Sequence, residues 1–217
     1  ENIQSIFIFA GIFPNDCELS GFMEQTLIEY LNFGGNIYFE GGDIWLNLNQ
    51  SEIINYFGVL LLEDGSNDLF EISGLDGTIS ESLSINYNGE NNWIDQLHAI
   101  SPAYPILINH DMDYVVTILN PTNMSNTIAS SFQLSGIESV DFRRNLILNY
   151  LNFMTTGISP NWIKGDYNQD EFVNIIDILF VVEVIIELSN PNVIQYWISD
   201  LNHDDIINIQ DITLMVN

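Results

Sequence analysis

Two segments in the last third of the chain carry oxygen-bearing side chains at matching intervals. Residues 166–177 read DYNQDEFVNIID, and residues 200–211 read DLNHDDIINIQD. Both have Asp, Asn, Asp, Asn and Asp at positions 1, 3, 5, 9 and 12, and the second copy starts 34 residues after the first (200 − 166). Ca²⁺ is a hard cation that takes six to eight oxygen ligands, which such alternation places on one side of a tight loop. The pattern therefore predicts two calcium sites.

The spacing is that of an EF-hand-type loop, whose ligands come from positions 1, 3, 5, 7, 9 and 12. Position 7 contributes its backbone carbonyl, so an apolar side chain is acceptable there, and this chain has Phe172 and Ile206. The alternative is a pair of Asp/Asn-rich turns that cap the following helices. Two copies aligned position by position favour calcium binding over capping turns.

Three further details resemble the type I dockerin. Position 12 is Asp instead of Glu, position 8 is apolar, and a hydrophobic helix follows each loop. The resemblance covers about residues 163–217 and implies a small all-α tandem calcium-loop module, known from extracellular bacterial proteins, that docks on a cohesin-like partner. The ligands implied for the first ion are Asp166, Asn168, Asp170, the Phe172 carbonyl, Asn174 and Asp177; those for the second are Asp200, Asn202, Asp204, the Ile206 carbonyl, Asn208 and Asp211.

The chain departs from this pattern at loop positions 6, 10 and 11. Position 6 is usually Gly because the backbone turns there with positive φ, whereas this chain has Glu171 and Asp205. We expect strain of about 1 kcal/mol in the first loop. Positions 10 and 11 often select the cohesin partner in that family. The resemblance therefore implies a mostly apolar partner-binding face made of Ile175, Ile176, Ile209 and Gln210.

Composition and charge exclude several classes of partner. The 217 residues include 30 Asp and Glu but three Lys and Arg, for a net charge of −27. Nucleic acids and anionic membranes are not expected partners because phosphate contacts need basic side chains. No apolar run approaches the roughly 18 residues that membrane insertion requires, and a single cysteine excludes an intrachain disulfide. Calcium loops favour an extracellular or cell-surface location, where free Ca²⁺ fills weak sites.

The first 157 residues predict an α/β domain. An apolar strand at 3–13, a helix from the N-cap Ser20 to Gly34-Gly35, and a strand at 36–43 give the order of a parallel sheet. A short helix is expected over Ile44–Tyr56. Short apolar runs then predict strands, some antiparallel, and a final helix follows. These later elements are Val59–Leu62, Ser84–Tyr87, Tyr104–Ile108, Tyr114–Leu119 and Thr127–Gln133 as strands, Phe142–Met154 as the helix, and Thr155–Pro160 as a linker.

This succession, with GGNIYFEGGD after the first helix, resembles the class I glutamine-amidotransferase-like fold. The resemblance covers about residues 3–155, minus a first strand, and implies a flavodoxin-like, mostly parallel sheet with flanking helices. It also suggests that an N-terminal piece has been removed. Enzymes of that fold carry a Cys nucleophile at a strand-to-helix elbow. The corresponding turn here, Phe39–Asp43, contains neither Cys nor Ser.

No complete catalytic set is visible in the sequence. Cys17 lies in another loop between two acidic residues, which disfavour its thiolate. His98 is expected in a helix or turn at Trp93–Ile100. Glu40, Asp43 and His110 are the remaining candidates, and the carboxylates would sit at the usual ligand edge of a parallel sheet. The alternative for the carboxylates is stabilisation by a helix N-terminus.

The sequence therefore predicts an extracellular assembly or attachment protein. A non-catalytic α/β domain, residues 1–157, would precede a dockerin-like module, residues 163–217, that folds on two Ca²⁺ ions and docks to a cohesin-like protein or a neighbouring domain. Two alternatives remain open. One is a secreted hydrolase or amidase with a site near Glu40, Asp43 and His110. The other is a module that serves only as an internal calcium staple.

Overall fold

The computed structural model describes residues 4–157, 163–202, 204 and 206–216, without the side chain of Val193. It divides into two compact units, Glu1–Ser159 and Pro160–Asn217. Thr155 and Thr156 of the expected linker belong to the last helix of the first unit, and the linker's last three residues lie outside the described ones.

The first unit begins with alternating strands and helices. The first helix starts where the Ser20 side chain accepts a hydrogen bond from the Met23 N–H (3.3 Å), and Gly34 follows its C-cap with φ 85°. Both predicted helix ends are confirmed. The helix expected over 44–56 is instead two short helices. The elements are β1 (Ser5–Phe9), α1 (Gly21–Asn32), β2 (Asn36–Glu40), α2 (Ile44–Asn47) and α3 (Ile53–Phe57).

Seven more strands and a long helix complete this unit. The sheet runs in the order β1-β2-β9-β8-β7-β4-β5, and it branches at β8, which also pairs with β6 and through it with β3. The five strands predicted in the middle region are confirmed; β4 and β6 are additional. These elements are β3 (Val59–Glu63), β4 (Glu71–Gly74), β5 (Ser84–Asn86), β6 (Gln96–Ala99), β7 (Tyr104–Asn109), β8 (Val115–Pro121), β9 (Asn126–Ser130) and α4 (Val140–Thr156).

The sheet is mixed, with helices flanking it, so the fold belongs to the α/β class. The expectation of a mostly parallel sheet is wrong, because β1-β2 and β2-β9 pair in parallel while the other described pairings are antiparallel. The physical reason is the length of the connections. Only four residues join β8 to β9, and a parallel crossover needs a dozen or more.

The core lies between the sheet and its helices. Trp45 of α2 packs edge-on against Phe39 and Phe57, with ring centroids 5.7 and 5.3 Å apart, and all three side chains are buried. α4 buries Leu146, Tyr150, Phe153 and Met154, whereas Ile147 and Leu151 are partly exposed. On α1, Phe22 is 83% exposed and Phe33, its C-cap, is 89% exposed.

In the described residues of the second unit, all regular secondary structure is helical. The helices are α5 (Ile175–Ile185), α6 (Val193–Ser199) and α7 (Ile209–Val216). α5 packs against α7, and the Tyr167 and Phe180 rings stack with centroids 5.5 Å apart. Val181 and Ile198 are fully buried. Among the described residues, no helix combines the length and apolar character needed to cross a membrane.

Candidate metal centres

The first loop is closed by two buried carboxylates. Asp166 accepts hydrogen bonds from the backbone N–H of Asp170 (3.1 Å) and of Glu171 (2.8 Å). Asp177, on the first turn of α5, accepts from the N–H of Asn168 (3.2 Å) and of Asn174 (2.8 Å). The carboxylates at positions 1 and 12, which are eleven residues apart in the sequence, therefore bind the backbone of the residues between them.

The second loop repeats three of these four bonds at equivalent positions. Asp200 accepts from the N–H of Asp204 (3.2 Å), and Asp211 accepts from Asn202 (3.3 Å) and Asn208 (2.9 Å). Asp200 and Asp211 are buried, like their counterparts in the first loop. The two segments therefore share a three-dimensional arrangement as well as a sequence pattern.

The remaining predicted ligands lie next to one another within each loop. In the first, the Asn168 amide donates to Asp170 (2.9 Å) and the Asn174 amide donates to the Phe172 carbonyl (3.0 Å). In the second, the Asn202 amide donates to Asp204 (2.8 Å) and the Asn208 amide to the Ile206 carbonyl (3.1 Å). Within each loop, position 3 is thus joined to position 5, and position 9 to position 7, by a hydrogen bond.

Asn174 also begins α5. Its side chain accepts from the Ile176 N–H (2.8 Å), and Asp177 reaches back to the Asn174 N–H to form a capping box. Capping is the alternative to calcium binding for these residues. It accounts for Asn174 and Asp177, but not for the burial of Asp166 at the opposite end of the loop.

Buried carboxylates are the main electrostatic feature of the second unit. Ten of the chain's 30 acidic residues follow residue 159, together with a single Lys and no Arg. That lysine, Lys164, donates to the Trp197 carbonyl and lies over the Trp197 ring, 3.5 Å from its centroid. Burial lowers the pKa of Lys164 to about 8, and the nearby Asp200 charge partly offsets this. One ammonium cannot neutralise two loops, and buried charges without a counter-charge are costly.

The donor set fits a hard cation. Every predicted ligand presents a carboxylate, amide or carbonyl oxygen, and Ca²⁺ prefers these donors. Among the described residues, however, no group of three or more His, Cys, Asp or Glu side chains converges closely enough to hold a metal. The carboxylates at positions 1 and 12 bind backbone N–H groups instead. Half of each predicted ligand set consists of amide and backbone oxygens.

The sharp turn expected at position 6 is confirmed in the first loop. Glu171 has φ 71°, in the left-handed region that favours glycine, and Gln169 two residues earlier has φ 58°. Each costs about 1 kcal/mol relative to a relaxed backbone. The equivalent residue of the second loop, Asp205, lies outside the described residues.

The predicted partner-binding residues lie at the N-terminal ends of α5 and α7. Ile175, Ile176 and Ile209 are 64%, 47% and 67% exposed. Gln210 is also exposed, and its carbonyl oxygen accepts from the Asn202 amide (3.1 Å). We call these four residues the apolar face.

Glu40, a catalytic candidate in the first unit, is a buried core group. Its carboxyl accepts from the Tyr38 hydroxyl (2.5 Å) and from the Leu134 N–H (3.0 Å). Burial raises the pKa of Glu40 to about 7, against the opposing effect of these two hydrogen bonds. Asp43 is less buried and accepts from the Phe13 N–H (3.2 Å). The helix it precedes, α2, receives no side-chain cap from Asp43.

His110 lies elsewhere in the sheet. It follows β7, which is separated from β2 by β9 and β8, so the structure does not bring it together with Glu40 and Asp43. Its Nδ1 is 2.7 Å from the Ser73 hydroxyl of β4, a contact without any signal in the sequence. His98 lies in β6, so its expected place in a helix or turn is wrong. Cys17 is exposed, and its thiol contacts the Glu18 carbonyl (3.7 Å).

Comparisons with known proteins identify no family for this chain. No family model matches it, and no curated protein matches. Among solved structures, a chain described as the mmIFT52 N-terminal domain matches with a TM-score of 0.48 and 14% identity, over 71% of this chain and 78% of that one. A TM-score at this level does not establish a shared fold, so the fold assignment rests on the strand pairing itself.

Proposed function

We propose that this chain is a calcium-dependent assembly protein. Its second unit would fold around two Ca²⁺ ions and present the apolar face to a cohesin-like protein or to a neighbouring domain outside the cell. The observation that carries the proposal is the repetition of one hydrogen-bond arrangement in both loops, from Asp166 to Asp177 and from Asp200 to Asp211.

The proposal gives the buried carboxylates a counter-charge. Residues from 160 onward carry −9 in charge (ten acidic residues, one lysine), and two Ca²⁺ ions would bring this to −5. In each loop the aspartates at positions 1, 5 and 12 would hold the ion, and the asparagines at 3 and 9 with the carbonyl at 7 would complete the oxygen shell. A bound ion supplies the charge neutralisation that the single lysine cannot.

The first unit would be the domain that this module anchors. Its turn after β2 corresponds in position to the elbow of amidotransferase-like enzymes but contains neither Cys nor Ser. Nucleophilic catalysis needs a nucleophile within reach of a base. The carboxyl of Glu40 at this turn is instead occupied by Tyr38 and Leu134 in the core. This favours a binding or structural role for the first unit.

Calorimetric titration of metal-free protein with Ca²⁺ tests the two loops separately. We expect two ions per chain in the loops, and we expect Asp166→Ala and Asp200→Ala each to remove one. The control is Asp76→Asn, because Asp76 is exposed in the first unit, between β4 and β5. Calcium binding that is unchanged in both loop variants would contradict the proposal.

The apolar face has its own test. We expect Ile176→Asp to weaken binding to a cohesin-type partner at least tenfold, because a carboxylate buried in an apolar interface loses its hydration. Both loop ions should still bind. The matched control is Ile186→Asp, which changes an isoleucine of similar exposure at the other end of α5. Surface plasmon resonance against a panel of purified cohesin modules gives the measurement. Equal losses from both variants would exclude a specific face, and no loss from either would favour an internal calcium staple.

A further inference from the structure

A cavity of about 410 Å³ opens in the first unit where three segments of the chain meet. The segments are the C-terminal end of α1, the C-terminal part of α3, and the turn that joins β8 to β9. Small-molecule sites commonly have volumes of about 300–1,000 Å³. The cavity is therefore large enough for a small organic ligand.

Hydrogen bonds within the protein hold the walls of this cavity in place. The Tyr56 carbonyl of α3 accepts from the Asn120 amide of β8 (2.9 Å) and from the Thr127 hydroxyl of β9 (2.8 Å). The turn between these strands is closed by Thr122, whose hydroxyl donates to the Ser125 carbonyl (2.6 Å). α1 packs against α3. The cavity is thus built into the fold and exists before any ligand binds.

Part of the lining is apolar. It comes from Leu31, Met124 and the ring of Tyr56. Leu31 is buried and Tyr56 is partly buried, whereas Met124 is 62% exposed. A ligand that covered this part of the lining would remove apolar surface from water, which favours binding.

The rest of the lining includes three asparagine side chains with unused hydrogen-bonding capacity. The Asn32 carbonyl oxygen accepts from the Tyr56 hydroxyl (3.3 Å), which leaves its amino group for a ligand. The Asn55 amino group donates to the Glu52 carbonyl (3.2 Å), which leaves its carbonyl oxygen. The Asn123 side chain has no hydrogen-bond partner among the described residues. The cavity therefore offers both donors and acceptors.

No charged side chain lines the cavity, and all of its lining residues are among the described ones. The first unit has only two basic residues, both arginines of α4. Tyr38 and Phe39 are consecutive in β2, so their side chains point to opposite faces of the sheet. Tyr38 stacks on Tyr150 of α4 (5.3 Å), whereas Phe39 packs against Phe57 of α3 (6.0 Å). α4 therefore lies on the other face from α3, and an anionic ligand in the cavity would lack a counter-charge.

We propose that this cavity binds a neutral saccharide. A sugar ring has C–H groups on its faces and hydroxyl groups around its rim, which match the apolar lining and the asparagine amides. Hydroxyl groups both donate and accept hydrogen bonds, as amides do. A purely apolar ligand would instead cover the amides without satisfying them, which is costly. The site uses residues of the first unit alone, so it does not depend on the two calcium loops.

An array of neutral oligosaccharides, probed with the full chain, tests this proposal. We expect a subset of the glycans to bind, and titration calorimetry with the best of them to show binding weakened at least tenfold by Asn32→Ala combined with Asn123→Ala. Both side chains are exposed, so the melting temperature should not change. Asn145→Ala is the control, because it removes an exposed asparagine of α4. An array without bound glycans, or equal affinities of the double variant and the control, would overturn the proposal.

Methyl NMR places the bound glycan within the chain. In protein labelled with ¹³C-methyl methionine, saturating glycan should shift the signal of Met124 and leave those of Met112 and Met215 in place. Shifts that spare Met124 would put the ligand elsewhere and contradict the assignment. N-phenyl-1-naphthylamine, a neutral apolar dye, tests the other class of ligand. Dye uptake that the double variant retains, in a chain that binds no glycan, would identify an apolar pocket instead of a saccharide site.

Discussion

Chelation of calcium is expected to unfold the second unit and leave the first unit folded. A unit as small as residues 160–217 buries only a marginal core, so a bound metal can decide whether it folds. Without the ions, the six carboxylates predicted as ligands, three in each loop, repel one another. Each bound ion contributes RT ln(1 + [L]/Kd), about 2.7 kcal/mol at a hundredfold excess over Kd. Two sites together reach the scale of a small domain's whole stability.

Circular dichroism and limited proteolysis together show which unit unfolds in chelator. In chelator we expect the helical signal to fall by the share of α5, α6 and α7, and chymotrypsin to cut at Phe180 and Tyr196 while the first unit persists as a resistant fragment. Restoring Ca²⁺ should reverse both changes. The chain with Asp166→Ala and Asp200→Ala should behave as the chelated form without chelator. An unchanged helical signal and unchanged protection would show that the second unit folds without calcium.

The first unit is expected to lose stability as the pH rises from 5 to 8, because of Glu40. Its carboxyl has a pKa of about 7 in the folded chain against an ordinary value of 4.5, so the folded state holds the proton more tightly than the unfolded state does. The resulting stabilisation is fully present below about pH 4.5 and is lost as the pH rises through about 7. The difference between the two pKa values corresponds to about 3 kcal/mol in the free energy of unfolding.

The groups around Glu40 do not titrate in this range. Tyr38 and Tyr150 are buried beside it and have pKa values raised above the ordinary value of 10, and burial raises the pKa of Tyr87 to about 12. Asp95 has a raised pKa as well, and its effect has the same sign as that of Glu40. The decrease in the free energy of unfolding with rising pH should therefore become smaller, but not disappear, when Glu40 alone is changed.

Denaturant unfolding at pH 5 and pH 8, in buffers of equal calcium content, measures this dependence. Glu40→Gln should raise the free energy of unfolding at pH 8 and flatten the profile, since Gln keeps the hydrogen-bonding shape without a charge. Glu63→Gln is the control, because Glu63 is an exposed acidic residue of β3. A variant whose pH profile matches that of the unaltered chain would show that the Glu40 carboxyl is not protonated in the fold.

The features that were predictable from sequence are those set by local chemistry. Ser20 accepts a backbone hydrogen bond at a helix start, and Gly34 adopts positive φ at its end, whatever surrounds them. The same holds for the turn at Glu171, which follows from its position in the loop. The apolar runs that became β7 and β8 were long enough to be recognised as strands.

The features that were missed depend on contacts between distant residues. An apolar run does not encode whether the neighbouring strand lies parallel or antiparallel to it. The relative directions of the strands could therefore not be derived from single strands. His98 alternates with buried neighbours in β6, but four residues are too few to give a clear period. The contact of Ser73 with His110 and the burial of Asp95 arise from strand pairing and loop packing across the fold, and neither has a local signal.

The exposed aromatic residues of α1 have a consequence for the protein's colloidal behaviour. Phe22 and Phe33 remain in water, where such side chains tend to stick to one another. At neutral pH the net charge of −27 keeps copies apart by mutual repulsion. Near the isoelectric point of about 4.1 this repulsion vanishes. Acid therefore protects the fold of the first unit through Glu40 while it removes the charge that keeps the protein dispersed, so we expect the protein to precipitate near its isoelectric point.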